Sequence, residues 1–214
     1  MASRRPFGAL VQFRPGAPAI VDGNRLAYTG ARLWVSDPAE GASSRIFTID
    51  PVTHRVATLV SGQEPVALIP DGDRIWSANH DDGTLHAHHA RTGRTTASTR
   101  LPGEPHGLAV ASGWLWVADA HSNRILQIDP DSLRIVRRIA LGHETGPLAA
   151  AGRGGVWATG PWHPPSPTRL RRIDESGQVV QSVVAADPII AFVSSHKSLW
   201  IAVTGGNLLL RVSE

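Results

Sequence analysis

The chain contains no cysteine. That absence removes disulfides, thiolate metal sites and a cysteine nucleophile together. Lysine is nearly missing as well: Lys197 stands alone among 21 basic residues, the rest being arginine. No apolar run is long enough to cross a bilayer, so no membrane partner is expected. The start, Met1-Ala2-Ser3-Arg4-Arg5, is basic, but the apolar stretch Ala9-Leu10-Val11 soon meets Gln12, Arg14 and Pro15. No secretory core forms there, which makes a cytoplasmic location the expectation. Charge is sparse and close to balanced, at +3 overall. Arg137-Arg138 and the arginines of 169–172 are isolated groups without interleaved aromatics, so nucleic acid is not an expected partner.

Tryptophan, by contrast, recurs with a beat. Trp34, Trp76, Trp116, Trp157 and Trp200 are separated by 42, 40, 41 and 43 residues. Each sits in a short apolar run, at 33–35, 75–77, 115–117, 156–158 and 199–201. A self-similar period in the low forties, built from short strands, predicts a β-propeller. Further landmarks keep the same register. A proline opens each later repeat (Pro65, Pro105, Pro147, Pro188), and Asp-Pro or Asp-Glu turns follow the third strand at Asp50-Pro51, Asp129-Pro130 and Asp174-Glu175. The inner strands read as continuous apolar runs, as strands buried on both faces must. The tryptophans are therefore read as packing between blades.

The expected architecture is all-β: one domain over 1–214, forming a five-bladed propeller of four-stranded antiparallel blades. The last repeat lacks a fourth strand after Asn207–Val212, while residues 9–21 hold surplus strand-like sequence. A strand from 9–21 is expected to complete the C-terminal blade and close the ring, since closure removes exposed sheet edges.

Four antiparallel strands per blade place the fourth-to-first and second-to-third connections on one rim. Acids, imidazoles and an extra aromatic gather there: Glu64, Glu104, His106 and Glu144 near the opening prolines, and Asn79, His80, Asp119, His121, Trp162 and His163 after the tryptophan strands. The opposite rim reads as plain turns. Pro161-Trp162-His163-Pro164-Pro165 is an enlarged, proline-stiffened connection, which suits ligand recognition.

The run Gly103-Glu104-Pro105-His106-Gly107-Leu108, followed by Leu115-Trp116-Val117-Ala118-Asp119 and by Ile128-Asp129-Pro130, resembles YVTN/NHL-type propeller repeats. It is also similar to the repeats of streptogramin-lyase-like propellers, in which Pro-His-Gly-Ile precedes a tryptophan strand. The likeness extends over nearly the whole chain and implies the fold. For function it implies metal-assisted elimination, with a rim histidine as acid or base beside glutamates. Glu104 and His106 match the family's Glu-x-His, and Asp119 lies near the acid expected after the tryptophan strand. The family has seven blades and a second rim histidine, where this chain has five repeats and Asn24, Val66, Leu148 or Ile189. Those departures argue against the same reaction.

The residues support a related chemistry. An imidazole titrates near neutrality, and a neighbouring carboxylate can orient it for proton transfer. His106, Glu104 and Asp119 are the catalytic candidates. Glu64, Asn79, His80, His121, Glu144, Trp162 and His163 are the substrate-binding candidates. The expected function is a small-molecule-binding propeller with acid–base chemistry of lyase, cyclase or isomerase type on a natural-product-like substrate. Two readings stand beside it: a non-catalytic scaffold for a protein or peptide partner, and a metal-dependent lactone hydrolase with Glu64, Glu104, Glu144, Asn79 and Asp119 around one ion. No cofactor is demanded by the sequence; a divalent ion such as Mg²⁺ comes only with the resemblance. His86-Ala87-His88-His89 falls on a third strand far from the axis and is read as packed or solvated imidazole, with His89 at the position of the turn acid Asp129.

Overall fold

The computed structural model describes residues 25–37, 45–142, 145–160, 168–187, 189–195, 198–203 and 208–213. Among these residues there is no helix, and five antiparallel sheets follow one another along the chain. Blade 1 is β1 (Leu26–Tyr28), β2 (Leu33–Asp37), β3 (Arg45–Ile49) and β4 (Val56–Leu59). Blade 2 is β5 (Pro65–Asp71), β6 (Arg74–Asn79), β7 (Thr84–His89) and β8 (Thr95–Arg100). Blade 3 is β9 (Pro105–Ala111), β10 (Trp114–Asp119), β11 (Arg124–Ile128) and β12 (Ile135–Ala140). Blade 4 is β13 (Leu148–Ala150), β14 (Val156–Thr159), β15 (Thr168–Ile173) and β16 (Val179–Ala185). Blade 5 has β17 (Ile189–Ser195), β18 (Ser198–Val203) and β19 (Leu208–Ser213) among the described residues. The strand expected within 9–21 lies outside them.

In every blade the strands pair in chain order, so each is a simple meander. The burial gradient across a blade explains the composition of its strands. In blade 2, Ile75 through Asn79 are buried one after another, whereas β8 alternates between exposed and half-buried positions. A middle strand is covered by a neighbouring blade on each face, and an outer strand is not. Trp34, Trp76, Trp116 and Trp157 are at most 1% exposed and fill the layers between blades. Trp76 also donates its indole N–H to Asp71 at 3.1 Å, and Trp116 donates to the Ala111 carbonyl at 3.3 Å. Trp200 is half-buried, with the Arg211 guanidinium 5.6 Å above its ring.

The outer turns share one device. Asp50 Oδ1 accepts the amides of Val52 and Thr53, and Asp129 Oδ1 accepts those of Asp131 and Ser132. These bonds favour the charged form and lower both carboxyls below the usual aspartate value. In blade 2 the equivalent position is His89, whose Nδ1 accepts the amides of Arg91 and Thr92 at 3.3 Å each. An imidazole does there what a carboxylate does in blades 1 and 3.

The first strands β5, β9, β13 and β17 meet their neighbours around the centre. Leu108, Leu148, Ile189, Phe192 and Trp200 line a largely apolar cavity of about 540 Å³ there. Blades 3 and 4 approach closely here. A Cβ on Gly107 would lie 2.5 Å from the Gly146 carbonyl oxygen and 3.0 Å from the Leu148 amide nitrogen. Only glycine lets the two strands come this close.

Candidate functional site

Two blades build the site. At the start of β9, Pro105 pairs with Asp119 and Leu108 with Val117, leaving His106 and Gly107 opposite the single residue Ala118. This is a β-bulge, which turns a side chain away from the regular alternation. His106 therefore leaves the blade-core register and joins the rim. The same irregularity occurs in β5, where Val66 is the extra residue between Pro65 and Ala67.

His80, Glu104, His106, Ala120, His121 and Asn123 line one open pocket of about 430 Å³ at this rim, between blades 2 and 3. The His80 and His106 rings meet edge to face with centroids 6.0 Å apart. Glu104 Oε2 lies 3.9 Å from His121 Nδ1, and both side chains are well exposed. His106 is more enclosed. Burial, then the nearby charges of His80 and Arg25, push its pKa down to about 4. At neutral pH it is an uncharged imidazole that can accept a proton.

Asp119 stands beneath the pocket rather than in its wall. It is 1% exposed, and its carboxylate receives Arg124 Nε at 2.8 Å, the Glu104 amide at 3.2 Å and the Ser122 amide at 3.3 Å. It thus ties the segment before β9 to the turn that carries His121. The Ala120 amide adds a bond to the Glu104 carbonyl at 3.1 Å, and Thr145 Oγ1, in the connection before β13, reaches the Asp119 carbonyl at 3.3 Å. Gly103 packs against this carboxylate so closely that a Cβ would strike it.

Asn79 occupies the corresponding place in blade 2. It is fully buried, accepts from Ser61 Oγ at 3.0 Å and donates to Thr84 Oγ1 at 3.0 Å. Glu64 has φ of 52°, a left-handed conformation uncommon outside glycine, and its carbonyl accepts the His80 amide at 2.9 Å. Of the residues selected from sequence, the structure brings His80, Glu104, His106 and His121 together, places Asp119 and Asn79 as supports, and sets Glu64 next to His80. Glu144, Trp162 and His163 lie outside the described residues.

Sequence reasoning passed over Asn123, which lines the pocket with φ of 52°, and Asp81. Asp81 had a usable signal, because it lies 40 residues before His121 in the repeat register. The histidines of β7 are engaged inside blade 2. His88 is fully buried, with Nε2 3.1 Å from Ser77 Oγ and Nδ1 3.1 Å from Thr95 Oγ1, and His86 Nδ1 is 3.3 Å from Ser61 Oγ.

No protein-family profile matches the chain. No curated protein matches it in sequence either. Solved structures do. Hydrazine synthase of Kuenenia stuttgartiensis superposes with a TM-score of 0.71 at 17% identity, covering 94% of this chain and 61% of that one. The β-propeller domain of Cps50 (Swd1) from Myceliophteria thermophila gives 0.67 at 14% identity, over 84% of this chain and 62% of that one. Glutaminyl cyclase of Myxococcus xanthus gives 0.60 at 17% identity, over 90% of each chain. The chain thus spans about three fifths of two of these neighbours and nearly all of the third. At such identities the likeness shows a fold, the β-propeller, and does not extend to function.

Proposed function

We propose that this propeller binds a small molecule in the pocket between blades 2 and 3 and moves a proton on it, in a reaction of lyase, cyclase or isomerase type. One observation carries the reading: three imidazoles and a carboxylate, from two blades, converge on a single open pocket. His106 is the proton acceptor, kept uncharged by its enclosure. Glu104 and His121, 3.9 Å apart, are the pair able to orient polar substrate groups and return a proton. Asp119 positions Glu104 through its backbone and does not touch the substrate. A divalent ion in this pocket would polarise a substrate oxygen, and Glu104 and His121 are its two well-exposed groups able to contribute donor atoms.

The neighbour of matching length suggests where to begin. A peptide with N-terminal glutamine cyclises when its α-amine attacks the side-chain amide carbon; the new C–N bond replaces the old one, and ammonia leaves with the amine proton. A panel of such peptides, together with cyclic lactones and depsipeptides, would be assayed with wild type and His106→Ala. A fall in kcat by about two to four orders of magnitude with an unchanged circular dichroism spectrum is the expected result. Equal turnover by the two proteins would remove His106 from the chemistry. Partner capture that survives His106→Ala, with no turnover of any substrate, would favour the protein-binding scaffold instead.

A further inference from the structure

Beside the pocket, Glu64, His80 and Asp81 each offer one ligand atom, and these atoms lie within 4.8 Å of one another. We infer that this corner of blade 2 is a binding site for a divalent transition ion of zinc type. It shares His80 with the pocket but does not depend on the catalytic reading.

The backbone assembles the three groups before any ion arrives. The His80 amide bonds to the Glu64 carbonyl at 2.9 Å, fixing the end of β6 against the start of β5. Asp81 follows in the tight turn closed by the Gly83 amide on the His80 carbonyl at 3.2 Å. The ligands therefore come from two strand ends held in register, not from a loose run of acids. Zinc bonds of about 2.0–2.2 Å place neighbouring donors roughly 3–4 Å apart. Binding therefore requires the donors to draw in from their present limit of 4.8 Å.

A second observation points the same way. His80 Nδ1 is shut off from solvent and has no hydrogen-bond partner among the described residues. A buried, unbonded imidazole nitrogen is costly, and an ion coordinated at Nδ1 itself would remove that cost.

The donor set selects the ion. One imidazole with two carboxylates suits Zn²⁺, Ni²⁺ or Co²⁺; Mg²⁺ and Ca²⁺ prefer all-oxygen shells. The two carboxylates neutralise the ion's charge. Asp81 is exposed and the other two are half-buried, so water or a ligand can complete the coordination. Blade 3 provides an internal contrast. Its matching positions are Glu104, Ala120 and His121, which pair one acid with one imidazole and lack a third donor.

The test is equilibrium dialysis of the full chain against ZnCl₂ with metal quantification, in millimolar Mg²⁺. One Zn²⁺ per chain is expected, held about tenfold or more weakly by Glu64→Gln and by Asp81→Asn. His86→Ala and His106→Ala should bind zinc as wild type does. Zinc retained unchanged by both acid variants, displaced by Mg²⁺, or lost in His86→Ala would overturn the assignment. If Glu64→Gln fails to fold by circular dichroism, the exposed Asp81→Asn decides alone. Because His106→Ala addresses turnover and the acid variants address zinc, either reading can fail without the other.

Discussion

The Asp119 carboxylate holds the Arg124 guanidinium at 2.8 Å while itself remaining 1% exposed, directly below the rim pocket. Asp119→Asn keeps the shape but removes the charge, leaving Arg124 and two amides with a weaker acceptor. We expect a loss of about 2 kcal/mol, less than for a wholly buried pair because Arg124 is 24% exposed. Urea unfolding of D119N, R124M and the double variant measures it. Strictly additive losses would show that the pair is not coupled.

Gly103→Ala tests the same arrangement from the other side. Its Cβ would run into the Asp119 carboxylate, so overpacking should cost about 1–3 kcal/mol. In an Asp119→Ala background the obstruction is gone, and the Gly103 change should cost far less. A penalty that persists in that background would place the strain elsewhere.

Stability should fall in acid because of His88. Burial, then the charge of His86, lowers its pKa from 6.5 to about 4. The unfolded chain therefore binds a proton that the folded chain refuses between those values. Stability contributed by the neutral ring is complete above pH 6.5 and lost progressively as pH falls toward 4, by about 3 kcal/mol. His106 is lowered to about 4 too and adds in the same direction. Chemical denaturation from pH 7.5 to 4 should show the decline, and His88→Gln should flatten it. A slope unchanged in that variant would mean that other groups govern the acid response.

His89→Asp should stabilise the protein. Asp50 and Asp129 cap their turns with bonds of 2.8–2.9 Å, whereas the His89 ring does so at 3.3 Å. A carboxylate accepts these amides more strongly, for an expected gain of about 0.5–1 kcal/mol above the carboxyl's own titration range. Thermal melts at pH 7 suffice; an equal or lower Tm would show that the imidazole is already the better fit.

The tryptophan beat made the fold legible because each repeat must cover the next, so spacing and burial are tied together. The outer-turn aspartates Asp50 and Asp129 could be placed for the same reason. The site was only half legible. Residue type singled out His106, Glu104, His80 and His121, and the structure brings them to one pocket. What no pattern could reveal was the bulge at His106 and Gly107, because a one-residue register change leaves no trace in hydrophobicity. Nor could residue type separate Asp119, buried under an arginine, from an acid that faces a ligand. Asp81 carries a signal only in the repeat register, where its counterpart one repeat later is His121.

Gly107 bears on how the pocket meets a ligand. There is no room for even one carbon between it and the next blade, so the residue immediately after His106 has to be glycine. The imidazole thus directly precedes the point where blade 3 touches blade 4 most closely at a glycine, while its opposite wall is the exposed Glu104–His121 pair. If the proposed ligand binds here, adjustment is expected of the exposed Glu104–His121 wall, whose side chains have solvent around them. Discrimination at the proposed site should accordingly follow how a molecule fits the enclosed His106 face, with the exposed acid–imidazole pair meeting its polar groups.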